Sequence, residues 1–211
     1  GINYFQGYYY DYLNTHNLTA LSMGAVASMS LSNQGWSPNG QVVSLVGAGS
    51  PYINNYYVSG QGTGTTFYKL PQPIDPWGLP TFTPGDEGPF ATYSTDSSIM
   101  VLTGGNASPY MAFYSVNYAG TATTFTRGTS TQISLPSAKT TDAAFSPDGS
   151  LLVVGYANSP YILTYNVSYN GTLTTFTSAG ATFSTNPNGS VNIDVEPPTR
   201  GNALRRQANQ V

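Results

Sequence analysis

Residues 143–176 read AAFSPDGSLLVVGYANSPYILTYNVSYNGTLTTF, and this stretch decides the fold. Ser146-Pro147-Asp148-Gly149 carries turn chemistry, with Pro preset near φ −65° for the first corner of a type I turn and Gly at its end. Leu151 to Tyr156 is apolar and rich in β-branched residues, and Tyr161-Ile-Leu-Thr-Tyr-Asn-Val167 is similar. Thr172-Leu-Thr-Thr-Phe-Thr177 alternates polar with apolar for part of its run. Asn158-Ser159-Pro160 is a further turn signal, and Asn170-Gly171 suits a two-residue hairpin. The reading is four short antiparallel strands, at 142–145, 151–156, 161–167 and 172–177. No stretch shows helical periodicity with caps.

Two earlier segments repeat the pattern: GWSPNGQVVSLVGAGSPYINNYYVSGQGTGTTF at 35–67, and ATYSTDSSIMVLTGGNASPYMAFYSVNYAGTATTF at 91–125. Each copy holds a Ser-Pro-Tyr, at Ser50, Ser108 and Ser159. A second Tyr follows the first by four residues (Tyr56, Tyr114, Tyr165), a Gly falls 12 residues after the Ser (Gly62, Gly120, Gly171), and a Phe falls 17 after it (Phe67, Phe125, Phe176). Chance does not hold such spacings across three copies. The unit period is 58 and then 51 residues, within the range of repeats built as one supersecondary unit each. The fold class is therefore all-β, with propeller-blade-type four-stranded antiparallel repeats. Three units are clear, at about 31–70, 88–128 and 140–178, inside one repeat domain spanning 1–211.

The core Phe145-Ser-Pro-Asp-Gly-Ser-Leu-Leu-Val-Val154, with Asn158-Ser-Pro-Tyr-Ile162 and Thr174-Thr-Phe176, resembles the FSPDG propeller repeats related to WD repeats. Lys69-Leu-Pro-Gln-Pro73 and Leu79-Pro80 resemble that group's inter-blade connection. The resemblance covers about 35–176. The second copy departs from it, with Thr95-Asp96-Ser97 in place of Pro-Asp-Gly and one extra residue before Ser108. Such repeats recur in phage virion and tail-fibre proteins and in some bacterial surface proteins, so the resemblance implies a structural setting more than an activity.

The ends, 1–30 and 179–211, read as a partial unit or as assembly arms. Tyr8-Tyr-Tyr-Asp-Tyr12 with Asn17-Leu-Thr19 suits the closing strands of a unit. Ala181-Thr-Phe-Ser-Thr185 and Asn188-Gly189-Ser190 resemble the opening of one. Length over period gives about four units, so the expectation is a fourth blade formed from both termini, or strand edges covered by other chains. The basic Pro197–Arg206 stretch reads as a tail that meets an acidic partner patch through Arg205-Arg206.

Composition narrows the function. The 211 residues are 39% hydrophobic, 13% aromatic and only 7% charged, with 17 tyrosines and a formal net charge of −3. Aromatic content with little net charge favours collapse over disorder. Six Lys+Arg and a sequence pI near 4.7 exclude nucleic acid as a partner. No run of 18 apolar residues exists, which excludes membrane insertion by a helix. Cys is absent, removing disulfides and thiolate chemistry together. Low charge and abundant Thr, Ser, Asn and Tyr suit an extracellular, cell-surface or virion setting.

Candidate chemistry is sparse. The one histidine, His16, lacks a nucleophile elbow and reads as a surface turn residue. Glycoside hydrolysis needs two suitably spaced carboxylates. Asp96 and Asp148 share one repeat position where the first copy has Asn39, which points to turn hydrogen bonding. Asp86-Glu87 and Glu196 lie outside the repeat core and are the freer acids. There is no calcium-type loop and no His pair, so neither metal nor cofactor is expected. Sequons at Asn17, Asn106, Asn166, Asn170 and Asn188 follow from the abundance of Asn, Ser and Thr. Tyr52, Tyr110 and Tyr161 could line a binding surface, but repetition in every unit argues for packing between units. The expectation is a non-enzymatic structural or adhesion component of a virion or extracellular surface assembly, such as a phage appendage or capsid-associated protein. Its partners are other copies of the chain or neighbouring assembly proteins, with surface glycans as a further class. The alternatives are a secreted lectin-like glycan-binding module and a glycoside hydrolase.

Overall fold

The computed structural model describes residues 3–10, 18–26, 30–48, 52–71, 90–104, 110–128, 139–158, 161–169 and 174–181. Every regular element among them is a strand, apart from two single 3-10 turns. β1 (Asn3–Tyr10) and β2 (Leu18–Val26) form a hairpin. Three four-stranded antiparallel meanders follow. The first is β3 (Ser30–Trp36), β4 (Val42–Ala48), β5 (Ile53–Ser59) and β6 (Thr66–Lys69). The second is β7 (Phe90–Tyr93), β8 (Ile99–Thr103), β9 (Met111–Asn117) and β10 (Thr124–Arg127). The third is β11 (Thr140–Phe145), β12 (Leu151–Tyr156), β13 (Ile162–Tyr169) and β14 (Thr174–Ala181). The first strands of the sheets lie side by side, β7 between β3 and β11. Three sheets sharing an innermost row of strands are blades of a propeller, and the chain is all-β of that type.

The sequence repeat is a repeat of register. Phe67 faces Val58, Phe125 faces Val116 and Phe176 faces Val167 across the same strand pair of each blade. Each Ser-Pro-Tyr strand sits between the second and fourth strands of its own sheet. Alternation along a strand sends successive side chains to opposite faces, so each blade has a rear face toward the preceding blade and a forward face toward the next. Blade one presents Val42, Val46 and Ile53 forward, onto Tyr93, Met100, Leu102, Tyr114 and Phe125 at the rear of blade two. Blade two presents Ile99, Val101, Met111 and Phe113 forward, onto Phe145, Leu152, Val154, Tyr165 and Phe176. The repeated second tyrosine and the repeated Phe therefore both point to the rear.

Several details differ from the sequence reading. The third unit runs over 140–145, 151–156, 162–169 and 174–181, longer than expected. Ala181 closes β14 opposite Leu163, so it ends the third unit instead of opening a fourth, because β13 is long enough to keep pairing. In the first two units the repeated Gly, for which the sequence reading specified no turn type, opens a longer loop. Gly62–Gly64 and Gly120–Ala122 are 3-10 turns, each begun by a Gly at φ 60° or 62°. The Thr65 and Thr123 hydroxyls donate to the Gly62 and Gly120 carbonyls at 2.8 and 2.7 Å and close these longer loops. Asn170-Gly171 lies outside the described residues. So does the C-terminal half of the expected fourth blade. Residues 3–10 and 18–26, at the other end of the chain, form the β1–β2 hairpin, which lies against β6 and the turn before it.

The turn between the first and second strands is the same object in all three blades. The backbone N–H of Gly40, Ser97 and Gly149 donates to the carbonyl of Ser37, Ser94 and Ser146, each at 2.8 Å. These donors have φ of 72°, 68° and 73°. Glycine is the natural residue there, and Ser97 holds a left-handed backbone at a cost of roughly 1–2 kcal/mol. Ser97 Oγ also accepts the Asn39 N–H at 2.9 Å across the first seam. Ser97→Ala loses that bond and keeps the strain, whereas Ser97→Gly loses the bond and removes the strain. In urea unfolding, Ser97→Gly is expected to be the more stable of the two by about 1 kcal/mol. Equal stabilities would contradict it.

Candidate functional site

At the turns between the first and second strands the three blades repeat one set of polar side-chain contacts. In each turn a Ser hydroxyl donates to an Asn or Asp two residues on: Ser37 to Asn39 Oδ1 at 2.8 Å, Ser94 to Asp96 Oδ1 at 2.6 Å and Ser146 to Asp148 Oδ1 at 2.6 Å. The same Ser oxygen accepts the N–H that opens the second strand, from Val42, Ile99 and Leu151 at 2.9, 3.0 and 2.9 Å. The same Oδ1 accepts the N–H of Gln41, Ser98 and Ser150 at 3.0, 3.1 and 3.0 Å. Asn and Asp each supply the acceptor this geometry needs, which is why they interchange.

Those contacts fix the chemistry of Asp148. Hydrogen bonds from the Ser146 hydroxyl and from the Ser150 N–H and hydroxyl hold its carboxyl at about 2, below the ordinary 3.8. A carboxyl stabilised as the anion is a poor proton donor near neutrality. A folded-state value below the unfolded one contributes stability that is present above about pH 4 and is lost as pH falls toward 2. Asp148→Asn keeps the acceptor, as Asn39 does in blade one. It is expected to flatten the fall in melting temperature between pH 4 and 2 while leaving neutral-pH stability nearly unchanged. A wild-type slope surviving in the variant would refute this.

Across the first seam the turns are tied together. The Asn39–Ser97 bond crosses it, and within blade two the half-buried Tyr118 hydroxyl donates to the carbonyl of the same Ser97 at 2.7 Å. Deeper in the seam, Ser44 Oγ lies 2.6 Å from Asn55 Oδ1 and 2.5 Å from the Tyr93 hydroxyl. Its single hydrogen goes to Asn55, so Tyr93 donates to Ser44. Burial pushes the Tyr93 hydroxyl far above its usual titration range. Burial also pushes Tyr165, at the second seam, up to about 12. These tyrosines are neutral packing groups with a hydroxyl to place, not bases. The second seam has Thr140, whose Oγ1 donates to the Tyr110 carbonyl at 2.6 Å and accepts the Gly104 N–H at 2.8 Å.

Two further polar residues stand at equivalent points of the innermost strands. Asn33 and Asp142 each sit at a register shift, and each accepts the next residue's N–H on Oδ1 at 2.7 Å. A bulge re-aims a side chain, and Asp142 is buried. Sequence reasoning passed over both because nothing in either short strand, SLSNQGW or TTDAAF, marks a bulge.

The other candidates separate. Asn166 is exposed on β13. Tyr52, Tyr110 and Tyr161 are half-buried turn residues, Tyr52 and Tyr161 with φ of 62° and 64°. Packing between blades falls instead to Tyr114 and Tyr165, four residues on, while their counterpart Tyr56 is buried against Val43 and Leu45 of its own blade. His16, Asp86, Glu87, Glu196, Arg205, Arg206 and the sequons at Asn17, Asn106, Asn170 and Asn188 lie outside the described residues. Among the described residues no three His, Cys, Asp or Glu side chains converge to hold a metal ion.

No family model and no curated protein matches the chain. Among solved structures it is similar to a protein from Bacteroides uniformis provisionally named a 6-phosphogluconolactonase, at 17% identity and a TM-score of 0.55, over 80% of this chain and 45% of that one. A protein from Lactobacillus plantarum aligns at 17% identity and a TM-score of 0.50, over 80% of this chain and 47% of that one. TolB from Acinetobacter baumannii aligns at 12% identity and a TM-score of 0.37, over 75% of this chain and 34% of that one. The likeness is one of fold. The chain spans under half the length of the first two structures.

Proposed function

We propose that this chain is a non-enzymatic structural or adhesion component of a virion or extracellular surface assembly, with other copies of itself or neighbouring assembly proteins as partners. The observation that carries the reading is the use of the repeat's acids. Asp148 is locked as an anionic turn acceptor, and Asp96 makes the same contacts. A glycosidase needs one carboxyl held protonated and a second placed across the scissile bond. A surface poor in charge and rich in Tyr, Asn and Thr lowers the desolvation cost of broad contacts.

The name of the Bacteroides protein raises lactone hydrolysis as a competing activity. A phosphorylated lactone calls for converging positive charge. The described basic side chains are Lys69 ending β6, Arg127 ending β10 and Lys139 just before β11, which belong to three separate blades. The experiment is a turnover assay of the purified chain on 6-phosphogluconolactone and on a polysaccharide panel, beside a glycan array. No turnover is expected. Polysaccharide hydrolysis lost in Glu87→Gln or Glu196→Gln would replace this reading with the glycosidase, and tight binding to one glycan without turnover would replace it with the lectin.

A further inference from the structure

The two seams join equivalent surfaces by different chemistry. On the forward face, register places Ser44 and Asn55 of blade one where blade two has Val101 and Phe113. On the rear face, Tyr93 of blade two stands where blade three has Phe145, each paired with the second residue of its own second strand. At the turns, Ser97 of blade two stands where blade three has Gly149. Ser44, Asn55, Tyr93 and Ser97 are all buried, and they tie the first seam twice. Tyr93 donates to Ser44, which donates to Asn55, and the Asn39 N–H donates to Ser97 Oγ. The second seam instead sets Val101 and Phe113 against Phe145 and Phe176. Thr140 ties it too, but to the Tyr110 carbonyl and the Gly104 N–H, backbone groups that any blade offers.

Both ties of the first seam work against stability. Asn55 Nδ2 is buried with no hydrogen-bond partner among the described residues, and a buried donor left unpaired is destabilising. Ser97 holds φ 68° where its counterparts are glycines. An apolar layer and a glycine, as at the second seam, would spare the chain both. Buried polar groups that weaken a fold in this way have their best-attested use in fixing register and partner. We infer that the polar contacts of the first seam are a pairing code, which makes the forward face of blade one and the rear face of blade two exclusive partners. Two wrong pairings between copies show how it acts. If the forward face of blade two sat on the rear of blade two in another copy, Val101 and Phe113 would cover the Tyr93 hydroxyl with no acceptor. A buried hydroxyl left unpaired disfavours that pairing by about tenfold or more. If the forward face of blade one sat on blade three of another copy, it would meet Phe145 and Gly149. Ser44 would lose its donor and the Asn39 N–H its acceptor. The code goes beyond the assembly reading and rests on it only for the crowding of like chains that makes exchange a hazard. The turnover and glycan assays decide that reading separately.

Refolding from urea at rising chain concentration, followed by light scattering, tests the code. The variant Ser44→Ala/Asn55→Leu/Tyr93→Phe/Ser97→Gly erases it without making any side chain much larger. Its urea midpoint is expected to be no lower than that of wild type. It is also expected to leave at least about tenfold more chains in species larger than the wild-type one. Both chains have the same ends, so a difference in association belongs to the seam. Refolding as clean as that of wild type would overturn the proposal, and a lower midpoint would assign these residues to stability instead. A second variant leaves the first seam intact. Phe145→Tyr sets a hydroxyl against Val101 and is expected to lower the midpoint. Adding Val101→Ser supplies its acceptor and is expected to restore at least about half of the loss. No loss in the single variant, or no recovery in the double, would overturn the proposal as well.

Discussion

Gly35→Ala is expected to destabilise the chain by about 3 kcal/mol or more, the upper end for a single inserted carbon. Gly35 is a buried residue of β3, one place before Trp36. A Cβ there would lie 2.2 Å from the Ala91 carbonyl oxygen and 2.8 Å from its carbon. Both are backbone atoms of β7, held by pairing of Ala91 with Leu102. No side chain can rotate to make room, so β3 and β7 must part, and with them the seam that buries Val42, Tyr93 and Tyr114. The same chemical change at Gly64, in the 3-10 turn before β6, meets nothing within 4 Å. Gly64→Ala is therefore expected to be within about 0.5 kcal/mol of wild type. Urea unfolding of both variants, with the slope of the transition compared as well as its midpoint, separates the effects. Equal midpoints would mean that the innermost strands are not in contact at this point.

Trp36 and Gly35 also show what the sequence could and could not disclose. The spacing of Ser-Pro-Tyr, Gly and Phe was legible because each falls at a fixed register of one sheet, and register within a meander is a local property. The turn acids were legible for the same reason: Asn39, Asp96 and Asp148 interchange because the bonds they accept come from residues two places away. Relations between sheets were not legible. Ser44 gives no sign in sequence that it will meet Tyr93, 49 residues away. Trp36 does not show that it occupies the position of Phe145 without a neighbour to cover it. Ser97 took a left-handed backbone that composition reserves for Gly, since the turn and its tie to Asn39 fix the conformation. The packing role assigned to the Ser-Pro-Tyr tyrosines belongs to the tyrosines four places on, because the former sit in the turn and only the latter reach the rear face.

Phe113→Ala is expected to cost about 3–5 kcal/mol, the range for deleting a buried aromatic ring. Phe113 is 2% exposed on the forward face of blade two. Its ring meets Phe176 edge to face, with centroids 4.9 Å apart and planes at 63°, a geometry that contributes roughly 0.5–1.5 kcal/mol beyond area burial. Phe176 itself is 4% exposed, so the ring space left at the second seam has no solvent side from which to relax. Phe67, the counterpart of Phe176 in blade one, is only partly buried, and Phe67→Ala is expected to cost clearly less. Tightness from the opposite direction is testable at Gly128, whose N–H donates to the Phe113 carbonyl at 2.9 Å. A Cβ on Gly128 would fall 1.8 Å from the tip of the Phe113 ring. Because the clash is with the ring tip and not with backbone, Phe113→Leu should relieve it. The Gly128→Ala/Phe113→Leu double variant is therefore expected to be more stable than Gly128→Ala alone, a coupling that only directly touching residues show. If the two substitutions simply add, Phe113 does not fill the space beside Gly128, and the second seam is looser than its buried residues imply.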